Sequence, residues 1–275
     1  MKTINFKKLA KSFFFSSLLA MGSSAFAGAT WLFGDNNPTT ECNAAEVTAG
    51  SCTAQVGSDA GSPNVKGYAF SSTASGPAFA AASLTSFGGG LGVTAAGEST
   101  GSPQHATDNS GSTDLILLDF GTAKVDLDSV TIGWKGNSTG GSTGADADIS
   151  VFRYSGSSAT LPAVSNLAAT GAGLLAGGWT LVGNYANLAT GMAKAVNTGN
   201  TTSSWWLISA YNSNFGSTSE SSGTGLTDGN DYFKVLSIAG NVSSSTGVPE
   251  PGSLALLGAA LVGFVASRQR KQNLA

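Results

Sequence analysis

Glycine and short apolar runs dominate this sequence, and together they restrict the folds that are open to it. The 275 residues include 38 Gly, about 14% against a usual value near 7%. Gly weakens helices and supports tight turns. The composition therefore disfavours long helices and favours short strands joined by turns.

The apolar runs have the lengths and the alternation of β-strands. The run 115–120 is short, apolar and ended by Gly121, as in a buried strand. In 130–134 the large side chains alternate with Thr131 and Gly133, which is typical of a half-buried strand. No amphipathic helical stretch stands between the strands, so the sequence predicts an all-β, antiparallel β-sandwich. Further strands are predicted at 65–70, 78–84, 149–154, 179–185, 205–211 and 232–238.

The order of these strands resembles a galactose-binding-like jelly roll. The likeness is carried by the segments 115–120, 125–134 and 148–154, followed by Gly178-Trp179-Thr180-Leu181-Val182-Gly183. The resemblance implies a jelly-roll-like sandwich for the body of the chain, residues 28–247.

The N-terminal residues 1–27 have the three parts of a secretory signal peptide. A positive region contains Lys2, Lys7, Lys8 and Lys11, an apolar stretch covers 13–21, and the small-x-small triplet 25–27 follows. Cleavage after Ala27 would start the mature chain at Gly28. The alternative is a retained membrane anchor, but Ser16, Ser17 and Gly22 interrupt its apolar run.

The C-terminal residues 248–275 form a second tripartite signal. The motif Val248-Pro249-Glu250-Pro251 precedes the apolar run 254–266 and the basic residues Arg268, Arg270 and Lys271. As a helix this run spans about 20 Å, which is short of the roughly 30 Å hydrocarbon core. We expect a short transmembrane helix that stops transfer temporarily, with its basic tail in the cytoplasm and residues 28–248 outside.

This tail resembles the PEP-CTERM sorting signal. The resemblance implies processing by exosortase, an integral membrane enzyme with a Cys–His–Arg catalytic set. It also implies a Gram-negative bacterium, commonly one that makes exopolysaccharide or biofilm, and delivery to the cell surface or extracellular matrix after transient anchoring in the inner membrane. An ordinary short tail anchor is the alternative.

The body is also similar to a family of exosortase-dependent surface proteins. The matching segments are His105-Ala106-Thr107-Asp108-Asn109, 114–118, 132–134 and 146–151. That family is defined by sorting and location, so the resemblance implies no catalytic residues.

The charge distribution excludes nucleic acid as a partner. The whole chain has a formal net charge of −3. Without the two terminal signals, six basic and fifteen acidic residues remain, a net of −9. Such a body would repel a phosphate backbone.

The two cysteines, Cys42 and Cys52, predict a disulfide in an exported protein. Closing so short a loop would stabilise the fold by about 2–3 kcal/mol. The alternative is a pair of metal ligands.

Acidic turns suggest a structural calcium ion. Asp146 and Asp148, at i and i+2, point to one face of a strand. The turns 35–37 and 228–231 are also rich in oxygen ligands, which Ca²⁺ prefers. Asp108, Asn109 and Asp228 are the candidate ligands. Turns also favour Asp, Asn and Gly without any metal.

Catalytic signals are weak. His105 is the only histidine, no Gly-x-Ser-x-Gly turn supplies a nucleophile, and a structural role for His105 is favoured. The glutamates left for glycoside hydrolysis lie outside the strong strands; they are Glu41, Glu46, Glu98 and Glu220. Adjacent Trp205 and Trp206 face opposite sides of a strand, which would expose one of them to stack on a sugar.

The sequence thus predicts a non-enzymatic, exosortase-sorted surface or matrix protein. The alternative is a carbohydrate-binding module attached to exopolysaccharide. A secreted hydrolase is the third hypothesis.

Overall fold

The structure is a computed structural model that describes part of the chain. The described residues are 28–33, 51–54, 56–57, 62–72, 78–99, 101, 103, 105–158 and 160–243, with the backbone alone at 51–54 and 56–57. The predicted signal peptide and sorting tail lie outside these ranges. None of the helices in the described ranges is long and apolar enough to cross a membrane.

Short strands contain nearly half of the described residues, and all eight predicted strands are present. The described elements also include one short helix and a 3-10 turn at Ser213–Phe215. In chain order they are β1 Ala29–Leu32, β2 Ser51–Ala54, β3 Val56–Gly57, β4 Val65–Ser72, β5 Phe79–Phe87, β6 Gly90–Thr94, β7 Thr107–Asp108, β8 Asp114–Asp119, β9 Val125–Lys135, β10 Ile149–Tyr154, α1 Gly171–Ala176, β11 Trp179–Tyr185, β12 Ala193–Ala195, β13 Thr202–Ser203, β14 Trp205–Ala210 and β15 Tyr232–Val242.

The strands form one curled sheet in which every pair of strands is antiparallel. In its first half the order is β11-β10-β14-β8-β4. Strand β5 pairs first with β4 and then with β6, which carries the sheet into its second half. There the long strand β15 lies between β9 on one edge and β1, β6 and β7 along the other.

The main core lies where the two halves of the sheet face each other. Side chains from β8 and β14, such as Ile116 and Trp206, pack in one apolar cluster with Ile132 and Val235 from β9 and β15. On β8 and β14 the residues of the cluster are two positions apart, which places their side chains on the same face of the sheet. The alternation in the sequence therefore sets which face of each strand is buried.

A second apolar cluster covers the opposite face of the first half. It contains Leu117, Phe152 and Trp205, packed under Leu174 of helix α1 and Phe215 of the 3-10 turn. The Thr170 hydroxyl accepts a hydrogen bond from the Gly173 amide and so caps the start of α1. The first half of the sheet is thus buried on both faces.

The turn between β5 and β6 depends on glycine. Gly90 has a φ of +110°, and a Cβ atom there would lie 2.2 Å from the Val235 carbonyl oxygen. Only glycine fits both the backbone conformation and this close approach to β15. The glycine run at 88–90 therefore forms a tight turn into β6.

Candidate functional site

Three aspartates meet at one end of the sheet. Asp148 comes directly before β10 and Asp231 directly before β15, while Asp146 forms an isolated bridge with Asp231. One carboxylate oxygen from each residue lies within 4.8 Å of the other two. We call Asp146, Asp148 and Asp231 the acidic cluster. The sequence analysis places Asp146 and Asp148 on one face of a strand. In the structure both residues precede β10, and their carboxylates nevertheless lie close together.

The buried carboxylates of the acidic cluster hold backbone amides from separate loops. Asp148 accepts hydrogen bonds from the amides of Asn187 and Thr227, at 2.7 and 3.0 Å. Asp231 accepts one from the Asp148 amide at 2.6 Å and one from the Asn109 side chain at 2.6 Å. The cluster therefore ties together loops that are far apart in the sequence.

Burial raises the pKa values of both inner carboxyls. Asp148 and Asp231 are fully buried, and Asp146 is half-buried. Burial raises the pKa of Asp231 to about 8, hydrogen bonds from Asp148 and Asn109 oppose the shift, and the charges of Asp148 and Asp146 add to it. Burial also raises the pKa of Asp148. A proton or a bound cation would relieve the crowded negative charge.

The spacing of the acidic cluster suits a cation that prefers oxygen ligands. Ca²⁺ binds its ligand oxygens at about 2.3–2.6 Å, so two ligands on opposite sides of one ion lie about 5 Å apart. The three carboxylate oxygens, all within 4.8 Å of one another, fit around one such ion. The Thr227 hydroxyl and the Asn230 side-chain amide each lie 3.4 Å from Asp146 Oδ2.

The three predicted calcium ligands have different places in the structure. Asn109 contacts the acidic cluster through hydrogen bonds, because its amide oxygen also accepts from the Asp231 backbone at 2.9 Å. Asp108 precedes Asn109 at the end of β7, and its backbone amide donates a hydrogen bond to the Asp114 carboxylate. Asp228 binds the amide and hydroxyl of Ser213 instead. Asp231, three residues after Asp228, takes the place that the sequence analysis gave to Asp228.

A sequence signal for these acids exists but was missed. Asp114, Asp148 and Asp231 each stand directly before an apolar strand residue, and each is fully buried. An acidic residue at the start of a buried strand places its side chain at the edge of the apolar core. Among the described residues this position marks three of the four buried aspartates, and Asp108, the last residue of β7, is the fourth.

Asp108 and Asp114 form a second buried acid pair. The Asp108 amide donates a hydrogen bond to Asp114 Oδ2 at 3.2 Å, and Asp114 Oδ1 has no hydrogen-bond partner within the described part of the chain. Burial raises the pKa of Asp108 to about 7, against a hydrogen bond from the Ser110 amide. Burial and the charge of Asp108 raise the pKa of Asp114 well above its ordinary value. The pair holds a proton more tightly than exposed acids do.

A cavity of about 500 Å³ opens near this acid pair. Its lining includes Ser71, Ser72, Glu98 and Ser110, together with small Ala and Gly residues. Aromatic side chains are not among its lining residues. The stacking platform that commonly binds sugar rings is therefore not part of this cavity.

The predicted exposure of Trp205 or Trp206 is wrong. The two side chains do face opposite sides of β14, but Trp206 is fully buried in the main core and Trp205 is 7% exposed in the second cluster. The reason is that the segment around α1 covers the outer face of the sheet. Trp179 is buried there as well.

His105 contacts an aromatic ring. Its imidazole stacks on Phe87 with the ring centroids 4.3 Å apart. A Cβ on Gly92 would lie 2.0 Å from the His105 carbonyl oxygen, so β6 passes directly against this loop. These contacts agree with the structural role predicted for His105.

Several predicted sites fall outside the described residues. They include the cleavage site at Ala27, although Gly28 on its other side is described, and Cys42 of the predicted disulfide. Cys52 lies in β2, where the structure describes the backbone alone. The disulfide and the cleavage site stay predictions. The predicted sorting motif, transmembrane helix and basic tail lie outside the described residues as well.

Comparison with known proteins identifies the class of signal at the C-terminus. Residues 247–271 match the family described as the PEP-CTERM protein-sorting motif. The chain therefore carries a PEP-CTERM motif, as the sequence analysis expected. This motif supports an exported protein that is sorted by exosortase, with surface or extracellular location in Gram-negative bacteria. No curated protein matches the chain, and no solved structure matches it.

Proposed function

We propose that this protein is a non-enzymatic component of the cell surface or extracellular matrix, released from a transient inner-membrane anchor by exosortase. The observation that carries the proposal is the PEP-CTERM motif at 247–271, which begins five residues after β15 ends at Val242. A folded body that reaches to within a few residues of a sorting motif is the arrangement expected of a delivered cargo. Attachment to exopolysaccharide stays a prediction.

The body has the features of a structural module. Its buried carboxylates are engaged with backbone amides, and its main core joins the two halves of the curled sheet. Such a core supports the proposal of a jelly-roll-like sandwich. A non-enzymatic role is tested by incubating the purified exported protein with polysaccharides and esters. Turnover above that of a heat-unfolded sample would contradict it.

Sorting is tested by fractionating cells and mapping the terminal masses of the protein. In wild-type cells we expect a surface or matrix product that begins at Gly28 and lacks the basic tail with Arg268, Arg270 and Lys271. In an exosortase deletion strain the tail should remain and the protein should stay with the inner membrane. An intact C-terminus in both strains would contradict sorting by this route.

We also propose that the acidic cluster binds a structural Ca²⁺ ion. The observation that favours it is the approach of three carboxylate oxygens within 4.8 Å of one another. An ion there would offset the mutual repulsion of Asp146, Asp148 and Asp231 and would fasten the loops that they hold. We expect such an ion to stabilise the fold, because the carboxylates of Asp148 and Asp231 already accept hydrogen bonds from backbone amides.

Calcium binding is tested by thermal unfolding with and without Ca²⁺. Calcium at 100 times its Kd should stabilise the fold by about 2.7 kcal/mol, and Asp148→Asn should abolish this gain. Asp228→Asn is the matched control, since Asp228 lies outside the cluster and should leave the gain unchanged. Equal calcium responses in wild type and Asp148→Asn would contradict the site.

A further inference from the structure

Three separate segments enclose the cavity beside Asp108 and Asp114. The paired ends of β4 and β5 place Ser71 opposite Ala80, the segment after β6 adds Glu98, and the loop between β7 and β8 adds further small residues. The cavity volume of about 500 Å³ falls in the range of small-molecule sites. We call it the serine cavity and define it by Ser71, Ser72, Glu98, Ser110 and Ser112.

The lining of the serine cavity combines hydroxyls, methyl groups and one carboxylate. Glu98 Oε2 accepts a hydrogen bond from the Ala95 amide at 2.7 Å, which fixes the carboxylate on the turn after β6. Ser72 Oγ accepts one from the Thr113 amide at 2.7 Å. A hydroxyl that accepts one hydrogen bond can accept a second. Alanine side chains line much of the remaining wall, so the cavity offers fixed acceptors beside short apolar surfaces.

The two buried acids Asp108 and Asp114 lie behind the serine wall. The Ser110 amide donates a hydrogen bond to Asp108 Oδ1 at 2.9 Å. Asp114 stands opposite Ser71, which places their side chains on one face of the sheet, and Asp114 Oδ1 has no partner among the described residues. Burial is the main cause that raises the pKa values of both acids, and the charge of Glu98 adds to each. A cation in the cavity would relieve this crowding of negative charge.

The lining also excludes other classes of ligand. Lys, Arg, His and aromatic residues are not among the lining residues, so an anion finds no opposite charge and a sugar ring no stacking surface. A single metal ion does not fit either. In the described part of the chain, only the acidic cluster brings three carboxylate oxygens within 4.8 Å of one another. An ammonium group on an open aliphatic chain matches the acceptors with its N–H donors and the alanine methyl groups with its methylenes.

We propose that the serine cavity binds an open-chain aliphatic primary ammonium ion, with the Glu98 carboxylate as its charged partner and the serine hydroxyls as further acceptors. The two acids behind the wall add negative potential when they ionise. This site is independent of sorting and of the acidic cluster, so its failure would leave the proposed function untouched.

Binding is tested by titration calorimetry of the purified exported protein with putrescine, an open-chain diamine. Glu98→Gln should weaken putrescine binding by at least about tenfold, because a hydrogen bond between charged groups contributes at least about that factor. Gln keeps the acceptor for the Ala95 amide, so the turn is preserved. Glu220→Gln is the matched control and should leave the affinity unchanged, since Glu220 binds the amides of Thr198 and Gly199 outside the cavity.

Two further probes separate charge from shape. Butanediol has the chain of putrescine without its charges and should bind at least about tenfold more weakly. Glucosamine carries the same ammonium group on a sugar ring, and tighter binding of glucosamine than of putrescine would overturn the assignment to an open-chain amine. The proposal is also overturned if wild type does not bind putrescine, if Glu98→Gln binds it equally well, or if butanediol binds as tightly.

Discussion

Replacing Asp108 with Asn should make the protein more stable at pH 8 and leave it unchanged at pH 4. Asp108 is 2% exposed and its Oδ1 accepts a hydrogen bond from the Ser110 amide at 2.9 Å. Asn keeps this acceptor and removes the charge. The exchange therefore removes the free-energy cost of ionising this buried acid, together with the part of the Asp114 pKa shift that the Asp108 charge causes.

The size of the effect follows from the pKa. Burial raises the pKa of Asp108 from 3.8 to about 7, and each pKa unit corresponds to about 1.4 kcal/mol. Between pH 4 and pH 7 the unfolded chain loses this proton while the folded protein keeps it. Stability from this group is therefore fully present below pH 4 and is lost as the pH rises to about 7. The loss amounts to about 3–4 kcal/mol.

Urea unfolding of the purified exported protein from pH 4 to pH 8, with EDTA present, measures this loss. At pH 8 the D108N variant should be about 3–4 kcal/mol more stable than wild type, which corresponds to roughly 6–16 °C in Tm. Asp119→Asn is the matched control, because Asp119 also caps a turn, at the Gly121 amide, but is only half-buried. Parallel pH profiles for wild type and D108N would refute the reasoning.

Two further predictions concern packing and backbone. Leu174→Ala should destabilise the protein by about 2–5 kcal/mol, because the Leu174 side chain is fully buried on the inner face of helix α1. Leu175→Ala, at a side chain that is 62% exposed, should change stability by less than about 0.5 kcal/mol. Equal urea midpoints for the two variants would contradict the packing of the second cluster. Gly90→Ala should lower the free energy of unfolding by about 2–5 kcal/mol, because the new Cβ clashes with β15. Gly121→Ala should lower it by only about 1–2 kcal/mol, because Gly121 has a φ of +64° but no described atom within 4 Å. Similar losses at both glycines would show that the close approach at Gly90 is absent.

The long strands could be predicted from the sequence because their own residues determine them. Apolar side chains alternate along β9 and run continuously through β8, and both patterns identify a strand without knowledge of its neighbours. The sequence analysis did not predict seven strands, which are β1, β2, β3, β6, β7, β12 and β13. Each has between two and five residues. Their pairing depends on neighbouring strands, with β9 holding β12 and β13 and β15 holding β1, β6 and β7.

The candidate site was only partly predictable, for a similar reason. Asp146 and Asp148 are two residues apart in the sequence, so they lie near each other although both precede β10. Asp231 joins them through an isolated bridge between distant segments, which no local pattern encodes. The burial of Trp205 likewise depends on the covering segment around α1, which carries no strong periodic pattern of its own.

The place of β15 in the sheet also determines when the body can fold. This strand lies at the centre of the second half and pairs with β1, β6, β7 and β9, yet it is the last of the described strands to be synthesised. Until it arrives, β1 and β9 lack a shared partner and the main core stays open. Pairing across about 200 residues is slow, so the chain can be threaded through a membrane pore before a compact body blocks the way.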